Sequence, residues 1–117
     1  MPDPSPITRD PEASPVRPLI VIPVYNHSGT LRDVVTRALR VCDDVLVVDD
    51  GSNDGSALEA ARNLPVLFLR HEKNEGKGAA ILTAAREAKR LDMTHIVTID
   101  ADGQHDPADF YRFDRMI

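Results

Sequence analysis

Residues 45–52 read Val45-Leu46-Val47-Val48-Asp49-Asp50-Gly51-Ser52, and this stretch decides the fold class. Four consecutive apolar residues are typical of a strand that is covered on both faces. The run ends at two adjacent carboxylates, which are unfavourable at the edge of a buried sheet unless a cation or a hydrogen-bond donor lies near them. A ribose hydroxyl, a base N–H group or a metal ion would meet that need. The local alternative is a tight turn with a helix cap.

Three more apolar runs predict strands at residues 19–25, 65–69 and 93–99. Pro23 lacks the N–H group that a ladder requires, so it is expected at a sheet edge or near the end of the first strand. The segment after that strand has candidate helix caps at Asn26, Ser28 and Thr30. Its apolar residues follow helical spacing and are Leu31, Val34, Val35, Ala38 and Leu39.

A second helix is predicted to run through about Leu64, and a third carries Ile81, Ala84, Ala85 and Ala88 on one face. Strands that alternate with helices predict βαβ units, and therefore an α/β fold with a parallel sheet. Ligands of such sheets bind at the carboxyl ends of the strands. The polar clusters at 25–26, 49–50 and 100–105 all follow predicted strands, so we expect them to converge on one edge.

The last predicted strand leads into Asp100-Ala101-Asp102-Gly103-Gln104-His105-Asp106-Pro107. Asp100 and Asp102 lie two residues apart, so both carboxylates can turn toward one cation where the chain leaves regular strand geometry. Ligation by oxygen alone suits Mg²⁺ or Mn²⁺, and Gln104 offers a neutral third oxygen. Asp, Gly and Pro are also ordinary turn residues, which is the structural alternative. His105 could approach this site or face solvent.

Asn74, Gly76, Lys77 and Gly78 precede the third predicted helix. Free N–H groups and the positive end of a helix dipole attract phosphate, and Lys77 would add a cation. The alternative is a solvated entry loop. The stretch fits neither the P-loop pattern nor the dinucleotide-binding fingerprint, because glycines and a hydroxyl that those motifs require are absent.

Composition predicts one small soluble domain. The chain has 117 residues, of which 42% are hydrophobic and 28% charged, and its net charge of −5 gives no reason to expect nucleic acid as a partner. The single Cys42 is interpreted as a buried, reduced thiol, which fits a cytoplasmic protein. No signal peptide or membrane span is recognised. Residues 1–18 are rich in proline and predicted to form a disordered leader, and 19–117 form the domain.

Four motifs in this order resemble the family 2 glycosyltransferases. They are Ile22-Pro23-Val24-Tyr25-Asn26, Val47-Val48-Asp49-Asp50-Gly51-Ser52, Asn74-Glu75-Gly76-Lys77-Gly78 and Asp100-Ala101-Asp102-Gly103-Gln104-His105. The resemblance covers about residues 19–107. It is closest to the branch of dolichol-phosphate and polyprenyl-phosphate sugar transferases, in which Asp-Ala-Asp is followed by Gln and His.

The resemblance implies a GT-A fold, which is a Rossmann-like three-layer α/β/α sandwich around a mostly parallel sheet. It also implies metal-dependent transfer of a sugar, with inversion, from a nucleoside diphosphate sugar such as a UDP- or GDP-sugar. A polyprenyl phosphate is one candidate acceptor. The expected location is cytoplasmic, with membrane association through the acceptor or through segments outside this chain.

Site residues follow from the same resemblance. The metal ligands are expected to be Asp100, Asp102 and Gln104, binding Mg²⁺ or Mn²⁺. The expected substrate-binding residues are Pro23, Tyr25, Asn26, Asp49, Asp50, Lys77, Asp100 and Ala101. His27 departs from the pattern, because many relatives have an acidic residue there. No catalytic residue is identifiable, and a base or an acceptor site is expected beyond Ile117, so the chain is interpreted as the donor-binding half of a transferase truncated after the metal motif.

Two other functions remain compatible with these residues. One is a nucleotide-binding module of the same fold without catalytic activity. The other is a phosphoacceptor receiver domain, in which Asp49 and Asp50 would be the acidic pair and Asp100 the phosphorylated residue. A strand and a helix that precede the acidic pair argue against a receiver domain.

Overall fold

The computed structural model describes residues 16–54 and 57–102. Within these ranges four strands form one sheet in the order β3-β2-β1-β4, and every neighbouring pair is parallel. The strands are β1 (Pro18–Val24), β2 (Val45–Asp50), β3 (Leu67–His71) and β4 (His95–Thr98), and the helices are α1 (Ser28–Leu39), α2 (Ala57–Ala60) and α3 (Lys77–Arg90). The predicted α/β fold with a parallel sheet is confirmed.

Both faces of the sheet are covered, because alternate residues of a strand point to opposite sides. Ile20, Ile22 and Val24 of β1 belong to the same core as the buried face of α1. Leu19 and Val21 belong to a second core that includes the alanines of α3. The molecule is therefore a three-layer α/β/α sandwich, as the resemblance implied.

Helical periodicity correctly identified the buried faces of α1 and α3. In α1 the fully buried residues are Leu31, Val34, Val35 and Ala38, while Leu39 is partly buried. In α3 they are Ala80, Ala84 and Ala88, with Ile81 and Ala85 partly buried beside them. The helix lies against the sheet through alanines spaced four residues apart.

Several predicted boundaries were wrong. β2 continues through Asp49 and Asp50, because their partners in the register with β3 are Arg70 and His71, which stabilise the carboxylates. α2 ends at Ala60 rather than near Leu64, and the following turns include Asn63 at φ 65°, a left-handed conformation that ends a helix. β3 begins two residues later than predicted, and β4 is shorter than 93–99 at both ends.

The predicted caps of α1 were also wrong. His27 occupies the capping position without a side-chain hydrogen bond. The carboxylate of Asp54, from the connection after β2, accepts the Ser28 N–H at 3.0 Å and the Ser28 hydroxyl at 2.9 Å. These hydrogen bonds lower the pKa of Asp54. The helix is capped by a residue distant in sequence, which local pattern could not reveal.

The first strand begins at Pro18, which the sequence had placed in the leader. The Arg17 N–H donates to Thr94 Oγ1 at 2.7 Å, so the chain already contacts the domain before that proline. Residues 1–15, and with them most of the predicted leader, lie outside the described residues. Pro23 lies near the carboxyl end of β1, past the last residue that pairs with β4. This is one of the two positions predicted for it, the other being a sheet edge.

The strand order excludes the receiver domain. A sheet of that class has the order 2-1-3-4-5, which places the strand of the acidic pair beside the strand that carries the phosphorylated aspartate. Here β1 separates β2, which ends in Asp49 and Asp50, from β4, which precedes Asp100. In the described part of the chain no helix has the length and apolarity needed to cross a bilayer.

Candidate functional site

A cavity of about 370 Å³ opens at the carboxyl edge of the sheet. Its lining comes from the ends of β1 and β2, the loop before α3 and the segment after β4. The lining residues are Pro23, Val24, Tyr25, His27, Asp50, Asn74, Lys77, Asp100, Ala101 and Asp102. The structure thus brings together on one cavity six of the eight predicted substrate-binding residues and two of the three predicted metal ligands.

Asp100 and Asp102 reach this cavity because the residue between them is anchored in the core. Ala101 is 3% exposed and packs with β1 and α1. The Thr30 hydroxyl of α1 donates to the Ala101 carbonyl oxygen at 2.5 Å, which fixes the backbone from the other side. The two carboxylates that flank Ala101 therefore lie at the cavity on a backbone that these contacts restrain.

Lys77 places a cation beside the first of these carboxylates. Its Nζ lies 2.5 Å from Asp100 Oδ1. Lys77 begins α3, and the preceding Gly76 has φ 100° and ψ 157°, a conformation essentially restricted to glycine. The positive end of the helix dipole, the lysine and two carboxylates thus meet at one cavity, which suits an anionic ligand bound together with a cation.

Asp50 holds the loop that leads to Lys77. Its Oδ1 lies 2.7 Å from His71 Nδ1 and accepts the Glu75 N–H at 2.9 Å. Its Oδ2 accepts the Gly76 N–H at 2.8 Å and the Asn74 side-chain amide at 3.1 Å. Burial, the largest single effect, raises the pKa of Asp50, but the hydrogen bonds from His71, Glu75 and Gly76 together lower it. Asp50 is therefore an ionised anchor of the loop.

Asp49 makes a different set of contacts and is not among the cavity-lining residues. Its carboxylate is 1% exposed and forms an ion pair with Arg70. It also accepts the Ser52 N–H at 2.9 Å, and Arg70 donates to the Ser52 carbonyl oxygen at 3.2 Å. Adjacent carboxylates were expected to need positive or donor neighbours, and side chains and backbone N–H groups of the protein fill that role, rather than the ligand groups or metal ion named as candidates.

Sequence reasoning missed Arg70 and His71 as the partners of these carboxylates. The predicted strand stopped at residue 69, whereas β3 continues through Arg70 and ends at His71. One signal was available: Arg70 and His71 follow the apolar part of β3 in the same way that Asp49 and Asp50 follow the apolar part of β2. Aligning the ends of the two strands would have paired the four residues.

Asn26 supports the site from the end of β1. It has φ 58°, its N–H donates to Ser52 Oγ at 2.9 Å, and its Oδ1 accepts the Asn53 N–H at 2.8 Å. It does not line the cavity, whereas the preceding Tyr25, 42% exposed, does. Asn26 thus fixes the turn that presents Tyr25.

Other residues singled out in the sequence do not line this cavity. Gln104 and His105 lie beyond the described residues. Across 16–54 and 57–102, no group of three or more His, Cys, Asp or Glu side chains is arranged to hold a metal ion. His95 lies at the amino end of β4, where its Nδ1 is 2.7 Å from Thr94 Oγ1, and it is not among the residues that line the cavity. Cys42 is half-buried after α1, and burial raises the pKa of its thiol.

Comparison with known proteins decides the family. The sequence model described as Glycosyl transferase family 2 matches residues 19–113, which include all four motifs. The chain belongs to glycosyltransferase family 2. The membership confirms the resemblance and agrees with the observed sheet and its helical layers.

Curated relatives of this family 2 chain include lipid-phosphate sugar transferases. A UDP-N-acetylglucosamine–dolichyl-phosphate N-acetylglucosaminyltransferase of Methanococcus voltae is 34% identical over 107 residues, covering 77% of this chain and 43% of the relative. An undecaprenyl-phosphate 4-deoxy-4-formamido-L-arabinose transferase of Aeromonas hydrophila is 36% identical, with 80% and 31% covered. A polyprenol monophosphomannose synthase of Mycolicibacterium smegmatis is 38% identical, with 82% and 39% covered. The chain thus spans less than half the length of these relatives.

Proposed function

We propose that residues 19–117 form the donor-binding part of an inverting glycosyltransferase. The enzyme would transfer a sugar from a UDP- or GDP-sugar to a polyprenyl phosphate at the cytoplasmic surface of a membrane. The observation that carries this proposal is the meeting of Lys77, Asp100 and Asp102 on one cavity of about 370 Å³. The names of the three relatives, each of which includes a polyprenyl or dolichyl compound, support the acceptor class.

The nucleoside end of the donor is assigned to the β1 side of the cavity. Tyr25 presents a half-exposed ring there, which can flank a base, and Pro23 lines the cavity beside it. Of the two acidic candidates, Asp50 faces the cavity and Asp49 pairs with Arg70. Asp50 is therefore the acidic residue that lies beside the nucleoside, where it holds the 74–76 loop, and Asn26 contributes by holding the turn of Tyr25.

The diphosphate is assigned to the opposite side, where the residues fit a divalent cation. Asp100 and Asp102 supply carboxylate oxygens, and Mg²⁺ and Mn²⁺ are often held by one or two carboxylates together with substrate phosphates. A bound ion would offset the negative charge that develops on the departing diphosphate. Lys77 adds a fixed cation close to the same place.

A lipid-phosphate acceptor simplifies the chemistry that the protein must provide. A phosphate is already anionic, so attack on the anomeric carbon needs no general base, whereas a hydroxyl acceptor would need a carboxylate to take its proton. The tasks of the described residues are then to bind the donor, to orient the sugar–phosphate bond and to neutralise the leaving group. Inversion follows from a single displacement at the anomeric carbon.

Calorimetric titration of the 117-residue chain with UDP, GDP, UDP-N-acetylglucosamine and GDP-mannose, each with and without Mn²⁺, tests the donor site. We expect one nucleotide to bind in a Mn²⁺-dependent manner, and Asp102→Ala to abolish that dependence. Asp33→Ala is the matched control, because Asp33 is an exposed aspartate of α1 that pairs with Arg37. Binding that ignores both Mn²⁺ and Asp102→Ala would contradict the proposed site.

Transfer is measured separately, by following sugar from the bound donor to undecaprenyl phosphate in detergent. A glycosylated lipid would show that this chain is catalytically competent. A different result would be metal-dependent binding of the nucleotide with no transfer, either by this chain or by a longer product of the same reading frame. That result would identify a nucleotide-binding module without catalysis.

A further inference from the structure

We propose that His71 is a positioning residue that, through Asp50, holds the loop 74–76 and so places Lys77 at the cavity. The significance of this placement for donor binding rests on the proposed function. The holding of the loop itself is a property of the fold and can be tested without any ligand.

His71 bridges the sheet and a helix. It ends β3, and its register partner on β2 is Asp50. Its ring lies between two polar groups: Nδ1 is 2.7 Å from Asp50 Oδ1, and Nε2 is 2.8 Å from Thr83 Oγ1 of α3. The side chain is only 12% exposed. Both nitrogens are therefore satisfied, and the ring cannot rotate without losing two hydrogen bonds.

This ring orients a carboxylate whose acceptor positions are fully used. An ionised carboxylate offers about four lone-pair positions. In Asp50 two of them face the N–H groups of Glu75 and Gly76, one faces the Asn74 amide, and the fourth faces His71. Without the imidazole the carboxylate is free to turn, and its alignment with two backbone N–H groups is no longer fixed.

The loop depends on this external support. Gly76 has φ 100° with no atom within 4 Å of an added Cβ, so neither backbone preference nor packing around its α-carbon restrains it. Two adjacent N–H groups bound to one carboxylate therefore hold Gly76 in place, in addition to the close approach of Gly51 to the backbone of Lys73 and Asn74. Lys77 follows directly, and its Nζ reaches Asp100. A continuous path thus runs from His71 through Asp50 and the loop to the acidic pair.

A variant series separates positioning from general stability. His71→Phe keeps a ring of similar size and removes both hydrogen bonds. His71→Asn restores a donor at about the place of Nδ1 but cannot reach Thr83. His95→Phe is the matched control, because His95 lies in β4 at the opposite edge of the sheet from β3, where its Nδ1 is 2.7 Å from Oγ1 of the neighbouring Thr94.

Amide hydrogen exchange of the free 117-residue chain, measured by NMR, provides the decisive readout. We expect His71→Phe to accelerate exchange of the Glu75 and Gly76 amides about tenfold or more, because an orienting hydrogen bond to a charged group is lost. His71→Asn should recover most of the protection, and His95→Phe should leave both amides unchanged. Unchanged exchange in His71→Phe, or equal acceleration throughout the sheet, would overturn the proposal.

Calorimetry with UDP and GDP in the presence of Mn²⁺ links the loop to the site. If wild type binds, His71→Phe should weaken binding about tenfold and His71→Asn should recover it. Accelerated loop exchange with unchanged affinity would overturn the link between His71 and the donor. Failure of wild type to bind either nucleotide would refute the proposed function, while the exchange data would still decide whether His71 holds the loop.

Discussion

Of the glycines that the structure describes, Gly51 should be the one whose substitution by Ala is most damaging, because the residue is constrained twice. Gly51 follows β2 with φ 81°, a conformation that L-residues rarely adopt. A Cβ at this position would lie 2.5 Å from both the Asn74 nitrogen and the Lys73 carbonyl carbon. These are backbone atoms of the loop that leads to Lys77, so relief requires movement of the loop rather than of a side chain.

The expected loss of stability in Gly51→Ala follows from these two constraints. The left-handed conformation costs about 1–2 kcal/mol for a residue with a Cβ. Displacing a packed backbone segment adds about 1–3 kcal/mol, as in overpacked cores. The sum of roughly 2–5 kcal/mol is a large share of the 5–15 kcal/mol that is usual for a domain. A decrease in melting temperature of about 10 °C or more is expected.

Thermal and urea unfolding followed by circular dichroism measures this loss, and two other glycines isolate its causes. Gly76 has φ 100° but open space around an added Cβ, so Gly76→Ala should show the backbone cost alone, about 1–3 kcal/mol. Gly29 lies in α1 with nothing within 4 Å, so Gly29→Ala should stabilise the domain by up to about 1 kcal/mol. If Gly51→Ala unfolded no more easily than Gly76→Ala, the close approach of the two loops would be refuted.

Three further predictions concern the fold. Arg70→Met leaves the buried Asp49 carboxylate without its guanidinium and should lower the free energy of unfolding in urea by about 2–3 kcal/mol. Arg70→Lys should be less damaging. Equal stability of Arg70→Met and wild type would contradict the pairing. Ala84 is 0% exposed between α3 and the sheet, so Ala84→Leu inserts volume there and should lower the free energy of unfolding in urea by about 1–3 kcal/mol. An unchanged unfolding midpoint would count against this packing. The Ser28 N–H lowers the pKa of Asp54 below its ordinary 3.8, so the contribution of Asp54 to stability is present at neutral pH and is lost progressively as pH falls below that value. Asp54→Ala should therefore destabilise the domain at pH 7, and the difference from wild type should shrink as pH falls below 3.8. A loss independent of pH would refute the cap.

The sheet and its helices could be predicted because each strand and each long helix has a recognisable local sequence pattern. The buried strands are continuous apolar runs, and α1 and α3 show helical periodicity in their buried residues. The rule that polar ends of parallel strands share an edge then correctly brought Tyr25, Asp50 and Asp100 to one cavity. No knowledge of strand order was needed for that step.

The features that the sequence missed depend on contacts between distant residues. A turn at Asp49 and Asp50 remained an alternative because their partners, Arg70 and His71, lie 21 residues away and are placed by the register of β2 with β3. The cap of α1 comes from Asp54, 26 residues after Ser28. Local propensity carries no information on register, so the pairing of the four strand residues could be inferred from sequence only by aligning the ends of the two strands. The cap from Asp54 became visible only in the fold.

Paramagnetic broadening by Mn²⁺ tests the central claim most directly, because it locates the metal–nucleotide site rather than inferring it from affinity. In ¹⁵N-labelled protein with UDP or GDP, trace Mn²⁺ should first broaden the amide signals of Asp100, Ala101 and Asp102, then that of Lys77, and leave the opposite edge at Asp43 and Asp44 sharp. Asp102→Ala should abolish this pattern. Broadening centred on the opposite edge, or a pattern that persists in Asp102→Ala, would contradict the assignment of this cavity as the donor site.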